Sequence, residues 1–212
     1  HKLPPEYFKQ FGVVFGDEAH LFKSKSLSSI MTQLTRCPYR IAMTGTLDGM
    51  LTHKLVIEGL FGTTKKVITT KKLMEQDLLS NLTIDCLVLN YTGSNRQLMR
   101  RTPYQDEIEW LITDSRRNKF ICDLAKSTKG NTLILFQFVE KHGKVLHEML
   151  KDCGKPVFFI HGGTDVEQRE HARNIAEKID DGIILASYGT FSTGINIRRL
   201  NNIVFASPSK SR

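Results

Sequence analysis

Short apolar runs along the chain alternate with longer stretches whose apolar positions recur at helical spacing, the pattern of strands joined by crossover helices over a largely parallel sheet. Phe11-Gly12-Val13-Val14-Phe15-Gly16 reads as a buried strand ending on the acidic pair Asp17-Glu18. A helix is predicted from Ser26 to Leu34. A second strand, Tyr39-Arg40-Ile41-Ala42-Met43, ends at Thr44-Gly45-Thr46. Val67-Ile68-Thr69 and Ile84-Asp85-Cys86-Leu87-Val88-Leu89 are both β-like and flank a short helix candidate from Lys71 to Leu79. Tyr91 to Pro103, with Gly93, Ser94, Asn95 and Pro103, reads as a turn-rich, basic linker. One helix is then expected from Tyr104 to Lys126. Strands are expected at Thr132–Phe138, Val157–Ile160, Gly182–Ala186 and Asn202–Ala206, with helices over Val139–Lys151 and Asp165–Ile179 between them.

The fold class is therefore α/β, with two parallel-sheet domains and flanking helices. The first is expected over residues 1–90, a linker and entry helix over 91–115, and the second over 116–212. Ligands of such sheets sit at the carboxyl ends of the strands, which is where chemistry is sought.

Composition narrows the function classes. With 212 residues, 40% of them hydrophobic and 25% charged, the chain is an ordinary globular protein and not a disordered, collagen-like or coiled-coil one. Lys+Arg is 30 against Asp+Glu 22, a formal charge of +8 that divides as +3 over residues 1–90 and +5 over residues 91–212. A polyanionic partner is favoured, although a ribosomal or membrane-surface protein has the same balance. Dibasic pairs at Lys65-Lys66, Lys71-Lys72, Arg100-Arg101, Arg116-Arg117 and Arg198-Arg199 supply charge for phosphate backbones, and Trp110 and the tyrosines offer rings for stacking on bases. Cys37, Cys86, Cys122 and Cys153 form no CxxC or Cys/His cluster, so neither a zinc site nor a redox pair is suggested. No apolar run approaches the roughly 18 residues that span a bilayer, and a cytoplasmic protein with no membrane partner is expected.

Asp17-Glu18-Ala19-His20, placed directly after a buried strand, has the two carboxylates that nucleoside-triphosphate hydrolysis needs. An aspartate at the strand tip holds Mg²⁺ through its water shell, and the adjacent glutamate polarises the attacking water. The segment resembles the DEAH box of superfamily-two helicases. Thr44-Gly45-Thr46 is similar to the Thr-Gly-Thr motif of their DNA-translocating branches, whose hydroxyls bond the box. Leu133-Ile134-Leu135-Phe136-Gln137-Phe138 resembles the fourth motif. Phe159-Ile160-His161-Gly162-Gly163 with Arg169 resembles the segment before the fifth, and Ile183-Ile184-Leu185-Ala186-Ser187 leading to Thr193-Gly194-Ile195-Asn196 resembles the fifth itself. Asn196 stands where the family has Asp; it keeps an acceptor and loses the charge.

The resemblance implies two RecA-like domains that use ATP and Mg²⁺ to move along DNA, single-stranded or branched, or along an RNA–DNA hybrid, in a monomeric motor of recombination and repair. It assigns Asp17 to the metal, Glu18 to water activation, and His20, Thr44 and Thr46 to coupling. Gly194 and Asn196 fall near the nucleotide, and His161, Gly162, Arg169, Ser187 and Thr190 on the nucleic acid. Two alternatives stay open: a nucleic-acid-binding module without turnover, and a motor subunit of a restriction or remodelling complex. No G-x-x-x-x-G-K-[ST] occurs among the 212 residues, and the sequence stops where the family's sixth motif is expected. The 212-residue chain is accordingly expected to be the middle of a longer motor and inactive as an ATPase by itself.

Overall fold

The computed structural model describes residues 3–45, 47, 51–165, 167, 170, 174–175, 177–191, 197 and 199–208. The chain divides into two compact units, His1–Asp85 and Cys86–Arg212.

In the first unit a short helix, α1 (Pro5–Phe8), leads into β1 (Val13–Gly16). A 3₁₀ turn over Ala19–Lys23 follows, then α2 (Lys25–Gln33), β2 (Tyr39–Ala42), α3 (Leu51–Phe61) and α4 (Thr70–Glu75). β1 and β2 pair in parallel with Val13 opposite Tyr39 and Gly16 opposite Ala42, so both strands end at the same edge. Phe8, Phe22, Met31, Leu34 and Cys37 form the core, with Leu60 and Phe61 of α3 packed against it. Gly16 closes this core at the strand tip: a Cβ there would lie 2.8 Å from the Phe61 ring, so only glycine lets α3 approach β1.

α3 is a helix that the alternating pattern did not single out. Conversely, the two β-like runs of the middle section are not strands. Val67, Ile84 and Val88 are largely exposed and 62–69 and 80–92 carry no regular structure, since neither run finds a partner for its backbone groups.

The second unit begins with α5 (Gly93–Met99), where a turn-rich linker is expected, followed by α6 (Tyr104–Thr113) and α7 (Ser115–Ser127). The single helix expected from Tyr104 to Lys126 is thus two. Asp114 leaves the helical conformation (φ −65°, ψ 111°), and its side chain accepts the Arg116 N–H as the N-cap of α7. A four-stranded parallel sheet follows in the spatial order β4 (Val157–Ile160), β5 (Ile183–Ser187), β3 (Asn131–Phe136), β6 (Leu200–Phe205). Its two inner strands, β3 and β5, are near-continuous apolar runs buried along their whole length, while β6 alternates half-buried and exposed positions. Ile134, Phe136, Ile183 and Leu185 pack on α7 and on α8 (Lys144–Leu150); Leu133, Leu135, Ile184 and Ala186 pack with Ile197 on the other face.

Between β3 and α8 the chain makes a wide, π-type turn over Val139–Gly143, in which Gly143 N–H reaches back five residues to Phe138 O at 2.9 Å. The helix expected over Asp165–Ile179 falls largely on residues outside those described. All four cysteines are free; Cys37 and Cys122 are buried, Cys153 is half-buried and Cys86 is exposed.

Candidate functional site

The parallel register of β1 and β2 carries Asp17 and Thr44 to one edge of the first unit's sheet. Met43 N–H donates to Gly16 O at 2.8 Å and Ala19 N–H to Met43 O at 2.9 Å, so the two strand exits are tied together beyond the last paired residues. Glu18 turns the chain sharply, with φ +48° and ψ 51° in the left-handed region, a conformation that costs a non-glycine residue about 1–2 kcal/mol. Strain of this kind concentrates at functional sites. Its N–H donates to Asp17 Oδ1 at 2.8 Å. Both carboxylates are exposed, and the buried Ala19 anchors the 3₁₀ turn that follows.

His20 leaves that turn toward β2. Its Nδ1 lies 3.0 Å from Thr44 Oγ1 and 3.3 Å from Glu18 Oε2. One imidazole nitrogen therefore spans the acidic segment after β1 and the hydroxyl segment after β2. Thr46 lies outside the described residues.

Among the described residues no group of three or more His, Cys, Asp and Glu converges as a metal cage. A lone exposed carboxylate with one oxygen engaged by a main-chain N–H suits Mg²⁺, which keeps most of its waters and shares itself with substrate phosphates.

In the second unit, Phe136 pairs with Ser187 and Ile160 with Ala186, so His161, Ser187 and Gln137 follow one another along the carboxyl edge. His161 is held locally. Its N–H donates to Thr164 Oγ1 at 3.0 Å, and its Nδ1 accepts Gly163 N–H at 3.1 Å, which leaves the proton of the neutral ring on Nε2. Gly162 is exposed beside it. Ser187 is buried and shares a 2.6 Å hydrogen bond with Thr190 Oγ1 in the helical turn Tyr188–Phe191. Arg169, Gly194 and Asn196 lie outside the described residues.

The same edge holds a buried polar network that motif reading missed. His142 is wholly buried, with Nδ1 2.9 Å from Ser207 Oγ and Nε2 3.1 Å from Asn118 Oδ1. Asn118 Nδ2 donates to Ile112 O at 2.8 Å, which turns its Oδ1 to the ring and places the imidazole proton on Nε2. Burial, with the nearby Arg117 charge, pushes the His142 pKa down to about 4. Ser207 also accepts Gln137 N–H at 2.9 Å, while Tyr188 Oη donates to its carbonyl at 2.9 Å and Arg117 Nη2 to the carbonyl of Ala206 at 2.6 Å. Arg117, read as half of a surface dibasic pair, is thus a half-buried pin on the exit of β6. The signal available in the sequence was Asn118 and His142 standing at core positions of helical segments.

Comparison with known proteins gives consistent similarities. Residues 116–212 match the helicase conserved C-terminal domain. The whole chain is 35% identical to the ATP-dependent DNA helicase UvsW of enterobacteria phage T4, covering 100% of this chain and 42% of that protein. The crystal structure of T4 UvsW superposes with a TM-score of 0.56 at 33% identity, over 100% of this chain and 41% of that one. Dbp5 of S. cerevisiae, solved bound to RNA and ADP BeF3, shares the fold at a TM-score of 0.57 and 14% identity, over 94% of this chain and 45% of that one. The chain spans less than half the length of these relatives. Residues 116–212 thus match a helicase domain, and the whole chain is similar to part of a phage DNA helicase, in keeping with its parallel-sheet architecture.

Proposed function

We propose that this chain is the part of an ATP-dependent DNA helicase or translocase that carries its acidic and hydroxyl motor segments. The observation that supports it best is the 3.0 Å contact between His20 Nδ1 and Thr44 Oγ1, which links the exit of β1 to the exit of β2. ATP with Mg²⁺ supplies the free energy of phosphoryl transfer when bound. On this reading Asp17 holds the ion through water, and the Glu18 carboxylate orients a water and takes its proton. His20 passes the state of Glu18, 3.3 Å away, to Thr44, with Thr46 completing the tripeptide.

Gly194 and Asn196 serve the nucleotide, and His161, Gly162, Arg169, Ser187 and Thr190 serve the nucleic-acid backbone. The likeness to a phage DNA helicase supports DNA as the track and branched recombination or repair intermediates, including RNA–DNA hybrids, as the substrates. The motor works as a monomer in the cytoplasm, that of the host if it is phage-encoded; no helix among the described residues is long and apolar enough to cross a membrane.

The deciding experiment is Glu18→Gln in the full-length protein. DNA-stimulated ATP turnover is expected to fall by about 10²-fold or more while DNA affinity is kept, as loss of a general base requires. Turnover near the wild-type rate sinks the assignment. The same assay run with forked DNA, plain single strands and RNA reads the substrate preference directly.

A further inference from the structure

A cavity of about 480 Å³ lies between α5 and α6 of the second unit. Its volume falls in the range of sites for small ligands, about 300–1,000 Å³. Tyr91 and Trp110 form one wall, their rings 5.0 Å apart and tilted by 58°, and both remain half-buried. Arg96 of α5 and Arg100, which caps its C-terminus one turn later, form another wall and are exposed. Among the described residues neither guanidinium takes part in an ion pair, although neighbouring helices are laced with them at Lys119–Asp123 and Lys141–Glu109. Glu107 and Asn95 supply an acceptor and an amide at the rim.

Residues 91–103 contain three arginines and no acid, so the α5 wall carries uncompensated positive charge. Two π-faces beside two free guanidinia, with hydrogen-bonding groups at the edge, are the parts that hold an unpaired nucleotide. The rings stack on a base, the arginines hold its flanking phosphates, and the rim groups reach the base edge.

We infer that this groove is a binding site for one unpaired nucleotide of a single-stranded nucleic acid, additional to the backbone contacts proposed at the strand tips. The inference rests on the nucleic-acid reading above, and its test separates the two. Trp110 is the only tryptophan of the chain, so its emission reports the groove alone. A short oligodeoxythymidine carrying a dye is titrated into the 212-residue chain while dye anisotropy and tryptophan emission are read together.

The expected result is that anisotropy rises and emission is quenched with the same midpoint. Arg96→Ala/Arg100→Ala weakens binding about tenfold and flattens the logarithmic salt dependence by about 1, as loss of one to two phosphate contacts to a single strand requires. Tyr91→Leu reduces the quench with circular dichroism unchanged. If anisotropy rises but the quench is absent, or persists unaltered in both variants, the groove is not the site and the nucleic-acid reading stands. If anisotropy does not rise at all, that reading fails and the inference falls with it. Quenching by free ATP at the same midpoint, with nothing added by the strand, overturns the inference in favour of a mononucleotide pocket.

Discussion

At the scale of single residues, His142 is the side chain whose chemistry the fold controls most tightly. Its pKa of about 4 lies below the ordinary 6.5, because burial penalises the imidazolium. Between these values the unfolded chain binds a proton that the folded chain refuses. The contribution of His142 to stability is therefore fully present above pH 6.5 and is lost as pH falls toward 4, about 2 kcal/mol of it by pH 5. Urea unfolding at pH 7.5 and pH 5 is expected to show this loss in the wild type and a clearly smaller one in His142→Gln, which keeps hydrogen-bonding groups and cannot titrate in this range. Equal losses in the two proteins would remove His142 from the account. Cys122 responds to burial in the opposite sense: its thiol is pushed up to about 11 and stays unreactive at neutral pH.

At the scale of elements, the π-type turn after β3 exists because nothing larger than glycine fits at its end. A Cβ on Gly143 would stand 2.6 Å from the Phe136 ring, which is fully buried and stacked on Phe159 at 5.5 Å and so has nowhere to move. The backbone there is right-handed helical (φ −57°, ψ −47°), so alanine would gain up to about 1 kcal/mol of propensity. Overpacking costs about 1–3 kcal/mol and wins. Gly143→Ala is expected to lower the urea midpoint of the second unit without changing its m-value, while an unchanged or raised midpoint would count against this packing.

The strands of both sheets were legible from their apolar runs, and the candidate site from the acidic and hydroxyl residues at the ends of two of them. Val67–Thr69 and Ile84–Leu89 misled because β-propensity describes a fit to neighbouring strands, and these runs have none. The break at Asp114 was written in Asp114-Ser115, a capping signal inside an otherwise continuous helical period. Of the His142 network only the core placement of Asn118 and His142 was legible; their pairing was not, since the network joins residues from four separated segments that share no spacing.

At the scale of the whole molecule, the two units are joined through 80–92, a stretch without regular structure in which Leu82, Leu87 and Val88 are exposed. Proteases cut where backbone can leave its surroundings at little cost, and the inner strands of the second unit, β3 and β5, are paired on both sides and buried throughout. Brief chymotrypsin or thermolysin treatment followed by mass spectrometry is expected to cleave first within 80–92 and to leave a resistant C-terminal product. First cuts inside β3 or β5 would contradict the division into units.

Cys86 gives this junction a further use. Of the four thiols it alone is exposed, two others are sealed in cores and Cys153 is half-covered, so the chain carries a natural attachment point for a fluorophore or spin label at the start of its second unit. A probe installed there needs no engineered cysteine in this chain, and every change in its mobility is a signal from the segment that joins the two units.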